Sequence, residues 1–334
     1  MYQNPEMQDA ARQPRPARDL FEEFKMRERL PEGEPLVFEG VGGKDVYNIT
    51  APFTVGDRSY IAGRVEARES QNVKCDSETQ FFEEKNGTWV PAHEAPTFRL
   101  EDPFVTRVWN ELVFGGVETF PHPDARYSGG LGFRTVFYRG DTLQSLRLFT
   151  QGPGMMKDIR LIQLRNGEVA VFTRPQGPWV ADAGRGKIGF TKLQNLDVLN
   201  AERILNAKII EGQFMDHEWG GVNELHLLEN RLIGALGHIA YADDGSRRHY
   251  YEGTKHYYAM AFVFDPDTST QSPFRIIASR ENFPEGPAKR SLELDDVIFP
   301  GGMIRNQDDN FATLYTGVSD AQAGRIIIPY PFSK

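Results

Sequence analysis

From Leu36 to the C-terminus, short apolar or alternating runs are separated by Gly, Pro, Asn and Asp: VYNIT, RSYIAGRV, ELVFGGVETF, FRTVFYR, EVAVFTR, RLIGALGHIAY, YYAMAFVFD, DVIFPGGMI, FATLYTGV and RIIIP among them. Runs of this length closed by turn formers predict roughly fifteen to twenty strands. The β/α alternation of a parallel sheet is missing, which excludes Rossmann and TIM folds. Helical spacing is confined to Asp19–Leu30, where Leu20, Phe21, Phe24 and Leu30 follow a capping Asp19. Residues 1 to 18 are polar and rich in Pro and Arg, and are expected to form a flexible N-terminal arm.

A coarse repeat runs through YNITAPF, LEDPFV, MMKDIRL, GGVNELHL and DVIFPGGM, starting near residues 47, 100, 155, 220 and 296. Repeats of this spacing, each of several strands, predict an all-β, five-bladed β-propeller occupying residues 19–334 as one domain. RIIIP is placed to close the ring against early residues.

Composition sharpens the picture. Hydrophobic residues make up 40% of the chain, with 23 Phe and 12 Tyr, enough to fill cores between sheets. A formal charge of −9 disfavours nucleic acid and anionic membrane as partners. Cys75 is the single cysteine, so an intrachain disulfide and a cysteine zinc cage are both excluded. The N-terminus lacks the apolar core of a secretory signal, and no stretch reaches the ~20 apolar residues of a membrane helix. A cytoplasmic protein is expected.

Polar residues inside apolar strands are the candidates for chemistry. Asp102 stands before Pro103, which favours an extended backbone at the aspartate; the plain alternative is a turn-forming Asp-Pro. Asn48 in VYNIT and Arg64 in AGRVE can face one channel; the plain alternatives are a backbone-capping amide and a salt bridge to Glu66 or Glu69. Lys157, Arg174 and His238 sit near repeat starts and suit an oxyanion, against readings as surface charge or a satisfied core imidazole. Asp320 follows an apolar strand, and Pro300, Gly301 and Gly302 offer backbone for close approach to a ligand. Trp89, Trp109, Trp179 and Trp219 offer faces for sugar stacking, although Trp is more often core. P-loop, HExxH, GxSxG and paired CxxC motifs are all missing, and GEVAVF and GGLGF make no dinucleotide fingerprint.

In their order, VYNITAPF, AGRVE, LEDPFVT, MKDIRLIQL, VFTRP, GGVNELHLLENRLIGALGHIAY, YYAMAFVFDPD, DVIFPGGMI and LYTGVSDA resemble the β-mannoside phosphorylases of glycoside hydrolase family 130. More closely they resemble the related mannosyltransferase/phosphorylases of β-1,2-mannan. The likeness spans roughly residues 40–328. It implies a five-bladed propeller with a central site. Asp102 would be the catalytic acid, its proton travelling through a sugar hydroxyl. Asn48, Arg64 and Asp320 would hold the terminal mannose, and Lys157, Arg174 and His238 the phosphate. The implied reaction is inverting phosphorolysis of β-1,2-linked manno-oligosaccharides to mannose 1-phosphate, and its reverse, with inorganic phosphate as co-substrate and no metal or other cofactor. A phosphate nucleophile makes a second catalytic carboxylate unnecessary. Two departures bear on phosphate: EDPF stands for the usual EDPR, and Asn223 and Glu224 stand where phosphorylases carry a further lysine. Retention of Arg174 and His238 favours phosphorolysis over β-mannoside hydrolysis; transfer from a sugar nucleotide in the same pocket and non-catalytic glycan binding are the other readings.

Overall fold

A computed structural model describes residues 13–27, 29–68, 76–122, 130–177, 180, 184–243, 253–290, 292–306 and 310–332. Glu69, Cys75 and Trp179 lie outside the described residues. Antiparallel strands follow one another in five groups. Asp45–Tyr47, Arg58–Glu66, Glu78–Lys85 and Thr88–Pro91 form the first, with Phe53–Val55 paired alongside. Glu101–Val108, Glu111–Pro121, Leu131–Gly140 and Arg147–Gln151 form the second, and Arg160–Gln163, Val169–Thr173, Gly189–Leu193 and Lys208–Ile209 the third. The fourth is Trp219–Leu227, Ile233–Ala242 and Lys255–Asp265, and the fifth is Asp296–Arg305, Phe311–Val318 and Gln322–Pro329. The opening strands begin beside the predicted repeat starts, because the turn formers that interrupt each apolar run also end each group.

Hydrophobic packing makes the arrangement cyclic and propeller-like. One buried cluster fills each junction. Phe81 meets Phe114 between the first and second groups, and Val108 and Phe137 meet Leu161 and Val171 between the second and third. Phe172 and Phe190 pack on Phe264 between the third and fourth. Leu236 meets Ile298 between the fourth and fifth, and Ile49 and Val46 meet Tyr315 and Ala323 between the first and the last. The ring also closes through the backbone, as RIIIP was placed to do. Glu34 pairs with Arg325 and Pro35 with Gly324, and the Leu36 N–H donates to the Ala323 carbonyl at 2.9 Å.

The predicted helix forms over Ala17–Arg27, two residues earlier than Asp19 and ending before Leu30. Asp19 therefore lies in its first turn and not at its cap. The start is set from afar: the Ala17 N–H donates to the buried Glu218 carboxylate at 2.6 Å, satisfying a helix-end donor. Leu20, Phe21 and Phe24 are buried, with Phe21 stacked on Tyr258 at 4.4 Å. The expected arm through residue 18 overlaps this packed helix, so its boundary moves ahead of Ala17; residues 1–12 lie outside the described residues. Leu30 packs against the core beyond the helix, before Pro31. A second helix, Ala201–Leu205, is a single short turn capped by the Asn200 side chain. Among the described residues, no helix is long and apolar enough to cross a membrane.

The fourth and fifth groups touch through a short parallel contact, His256 with Asp296 and Tyr257 with Val297. His256 is held there between two carboxylates, Asp296 at 2.5 Å and Asp243 at 3.1 Å, under the ring of Tyr241. Burial alone would lower its proton affinity, but the two carboxylates outweigh burial and raise it. A raised folded-state value means the stabilisation is complete below the unfolded imidazole value of about 6.5 and is lost as pH rises through the folded value. The melting midpoint is expected to fall across that window, and His256→Gln is expected to flatten the fall; equal slopes for both proteins would refute a seam role for His256.

Candidate active site

Asn48, Arg64, Asp102, Lys157, Arg174, His238 and Asp320 all line one cavity of about 530 Å³. Each group of strands supplies part of it. Asn48 follows the first strand of its group and Arg64 lies opposite Tyr47 on the next. Asp102 is on Glu101–Val108, Lys157 precedes Arg160–Gln163 and Arg174 follows Val169–Thr173. His238 lies on Ile233–Ala242, and Asp320 is in the turn after Phe311–Val318.

Asp102 departs from the extended backbone expected before proline. Its φ is +49°, in the left-handed region, inside a register shift between Glu101 and Phe104. The bulge wins because it lets a strand residue turn its side chain to the centre, and Asp tolerates this conformation better than most residues. Asn48 (φ +46°), Asp158 (φ +58°) and Asp320 (φ +49°) share it. Asn48 Nδ2 donates to Asp102 Oδ1 at 2.8 Å, which fixes the carboxylate.

Arg64 is the electrostatic hub. Its guanidinium lies 2.8 Å from Glu66, 3.1 Å from Glu101 and 3.4 Å from Asp102. The plain reading, a salt bridge to Glu66, is therefore realised, and Arg64 also lines the cavity. Lys289 completes the cluster, 2.8 Å from Glu66 and 3.2 Å from the Tyr47 hydroxyl. Burial would raise the Glu66 carboxyl, but Arg64, Lys289 and Tyr47 hold it down to about 2. Burial also acts to raise Asp102, yet Lys157, Arg64 and the Asn48 amide leave it below the usual carboxylate range. Glu101 goes the other way, raised by burial next to the Asp102 charge. Asp320 is raised by burial as well.

The opposite wall is cationic. Lys157 Nζ is 3.7 Å from Asp102 Oδ2; burial works against its charge, but Asp158 and Asp102 push its proton affinity up. Arg174 donates from Nε to the Gly220 carbonyl at 2.8 Å and from Nη1 to Gln176 Oε1 at 2.7 Å. A Cβ on Gly221 would lie 2.7 Å from Arg174 and 3.1 Å from His238, so this glycine lets the two side chains meet. Burial and the charges of Arg174, Lys157 and Arg160 keep His238 well below the usual imidazole value, so it serves as a neutral hydrogen-bonding group. The two sequence departures meet here: the Arg160 guanidinium stacks over Phe104 at 4.5 Å, its Nε donates to the Asn223 carbonyl, and the Asn223 side chain meets His238 Nδ1 at 2.8 Å.

Some candidates lie elsewhere. Trp219 lines the cavity and its indole N–H donates to Tyr257 at 2.8 Å. Trp89 belongs to a hydrophobic core, and Trp109 sits at a hairpin tip against Gly167. Gly301 and Gly302 approach the chain around Ile49 and Ala51 and not a ligand, because the fifth opening strand crosses the first group there. Sequence reasoning passed over Glu101, Asp158, Lys255, Tyr257 and Lys289, all on the cavity wall. Asp158 had a usable signal, since KDI holds the same place in its repeat as EDP.

The ring of β-groups around a cavity with a fixed carboxylate beside a cationic wall, together with the similarities that follow, makes this a carbohydrate-active enzyme of propeller-like fold. A family described as protein of unknown function (DUF1861) matches residues 22–334, and the chain belongs to that family. No curated protein matches it. The chain is similar to MPT-4, a mannose phosphorylase from Leishmania mexicana solved in complex with phosphate ion, at 34% identity over 94% of this chain and 93% of that one, with a TM-score of 0.82. MPT-1, a GDP-Man-dependent mannosyltransferase from the same organism, is 33% identical over 95% of both chains, also at 0.82. A β-1,2-mannobiose phosphorylase from Listeria innocua shares the fold, at 13% identity over 90% of this chain and 95% of that one, with a TM-score of 0.59.

The position of Asn48 depends on Gly317, where a Cβ would strike Asn48 Oδ1 and lie 2.7 Å from the Asn48 nitrogen. Gly317→Ala is expected to cost about 1–3 kcal/mol of stability, the usual penalty of overpacking. Gly154→Ala, with nothing within 4 Å of the new methyl, serves as control. Thermal melting of both checks this, and equal midpoints would mean that the contact yields freely.

Proposed function

We propose that this protein is an inverting mannoside phosphorylase that cleaves β-linked, and specifically β-1,2-linked, manno-oligosaccharides with inorganic phosphate. The products are mannose 1-phosphate and a shortened chain, and the reverse reaction extends an acceptor. The observation that carries the reading is the 3.7 Å approach of Lys157 to Asp102, which puts a cation for an oxyanion next to a candidate acid fixed by Asn48. Similarity to a phosphate-bound mannose phosphorylase supports it.

Asp102 protonates the leaving oxygen, directly or through a sugar hydroxyl, while phosphate attacks the anomeric carbon from the opposite face. Asn48, Arg64 and Asp320 hold the terminal mannose; the Asp320 carboxylate makes no hydrogen bond or ion pair to the described residues and is open to sugar hydroxyls. Lys157 and Arg174 neutralise the phosphate and aim it, with His238 as a hydrogen-bond partner. Lys157 helps hold Asp102 ionised. A phosphate that draws on the same ammonium weakens that hold, so the nucleophile's arrival favours the protonated acid. Transfer from a sugar nucleotide is the second reading, carried by the equal similarity to MPT-1. Incubation of an acceptor with mannose 1-phosphate or with GDP-mannose, with product linkage read by NMR, separates the two.

Asp102→Asn keeps shape but removes the proton. General acid catalysis contributes about two to four decades, so turnover is expected to drop at least about a hundredfold with the melting midpoint retained. Glu101→Gln is the comparison, because Glu101 is the neighbouring, half-buried carboxyl. Full activity in a folded Asp102→Asn protein would sink the mechanism.

Arg174→Ala is expected to raise the phosphate KM by about one to two decades, the worth of one charge-assisted contact. Sugar affinity should change little. An unchanged phosphate KM would remove Arg174 from the phosphate site and turn the reading towards hydrolysis.

A further inference from the structure

Asp158 has no part in the reaction as described, yet it stands in the middle of the cationic wall. It is 1% exposed and lines the cavity from a left-handed backbone position next to Lys157. Its Oδ2 is 3.4 Å from Arg174 Nη1 and its Oδ1 is 3.9 Å from Arg160 Nη2. Neither oxygen accepts a hydrogen bond among the described residues. Buried carboxylate oxygens are normally hydrogen-bonded, and two left without a donor are an exception that calls for a ligand or a function.

A carboxylate accepts hydrogen bonds and cannot donate them. Among cations that attract an oxyanion it repels any anion that brings no proton, and it welcomes one that turns an O–H towards it. Resting on the phosphate site proposed above, we infer that Asp158 is a specificity-determining residue that accepts the hydrogen bond of a phosphate P–OH, so that the site takes protonated oxyanions and refuses fully ionised ones.

Both ionic forms of inorganic phosphate near neutral pH carry a hydroxyl. A phosphate monoester such as a sugar 1-phosphate carries one in its monoanion. Sulfate has none, and the two bridging phosphates of a nucleotide sugar are diesters with none. The same carboxylate therefore selects phosphate over sulfate and mannose 1-phosphate over a nucleotide donor. It also orients the nucleophile: with the P–OH on Asp158, an unprotonated oxygen is left to attack. Hydrogen phosphate, the mannoside and protonated Asp102 then give the mannose 1-phosphate monoanion, the released alcohol and ionised Asp102, with the P–OH proton retained throughout.

The test is calorimetric titration of the full-length protein with inorganic phosphate and with sulfate at neutral pH, repeated on Asp158→Asn. Sites built around a ligand hydroxyl reject the analogue lacking it by up to ~10⁴-fold or more, so the wild type is expected to prefer phosphate by at least about a hundredfold. Asp158→Asn, which offers an N–H in place of a carboxylate oxygen, is expected to close most of that gap by gaining sulfate affinity. Equal affinity for the two anions in the wild type overturns the role of Asp158 while leaving the phosphorylase reading intact. Binding of neither anion overturns that reading and this inference with it. Should Asp158→Asn fail to fold, the wild-type ratio alone decides; a folded variant with an unchanged ratio also overturns the inference.

Discussion

The structure depends on keeping a dense set of buried and half-buried charges paired at the point where five groups of strands meet. Glu66, Glu101 and Asp102 surround the Arg64 guanidinium, and Lys289 and Lys157 extend the cluster at either end. Removing such charges from water costs several kcal/mol per ion unless geometry and hydrogen bonds offset it. Glu66 shares a strand with Arg64, but Asp102, Lys157 and Lys289 come from other groups of strands or from a distant loop, so the whole cluster is paired only once the ring has closed. The five apolar junctions close the ring and thereby make the polar centre tenable.

The opening strands solve a second problem in a repeated way. A regular strand points its side chains to its two faces and not along its own end into a central space. Here each opening strand is interrupted at the same level. Asn48 ends one, Asp102 and Asn223 lie in register shifts, Asp158 precedes one, and the fifth carries a shift at Pro300 to Gly302. Short polar side chains tolerate such backbone and aim inward. Where the fifth interruption brings chain against chain, only glycine fits, since a Cβ on Gly301 would strike the Ile49 carbonyl.

This repetition explains what was legible in the sequence. Strand content, repeat starts and ring closure follow from alternation and turn residues, which are local. Asn48, Arg64, Asp102, Lys157, Arg174, His238 and Asp320 stood out as polar residues within apolar runs, and the structure brings them to one cavity. The backbone of Asp102 was misread because the rule for residues before proline concerns an isolated dipeptide, whereas a bulge is imposed by the neighbouring strand. Lys289 and Lys255 were invisible because they sit in polar loop-like sequence, where a buried lysine looks like a surface one. The helix start was missed because Glu218, which sets it, lies about two hundred residues away.

Phosphorolysis and nucleotide-dependent transfer both occur on this fold at about one-third identity, so architecture does not choose between them. On the reading proposed above, the choice lies in which phosphate the cationic wall accepts. Lys157 belongs to that wall and to the environment of the acid, so any anion bound there also changes the proton affinity of Asp102. On the proposed reading, nucleophile and acid are thus coupled through one ammonium group. An anion that matched the wall poorly would bind weakly and also leave Asp102 ionised, and that double consequence makes the wall a stronger filter than its hydrogen bonds alone would be.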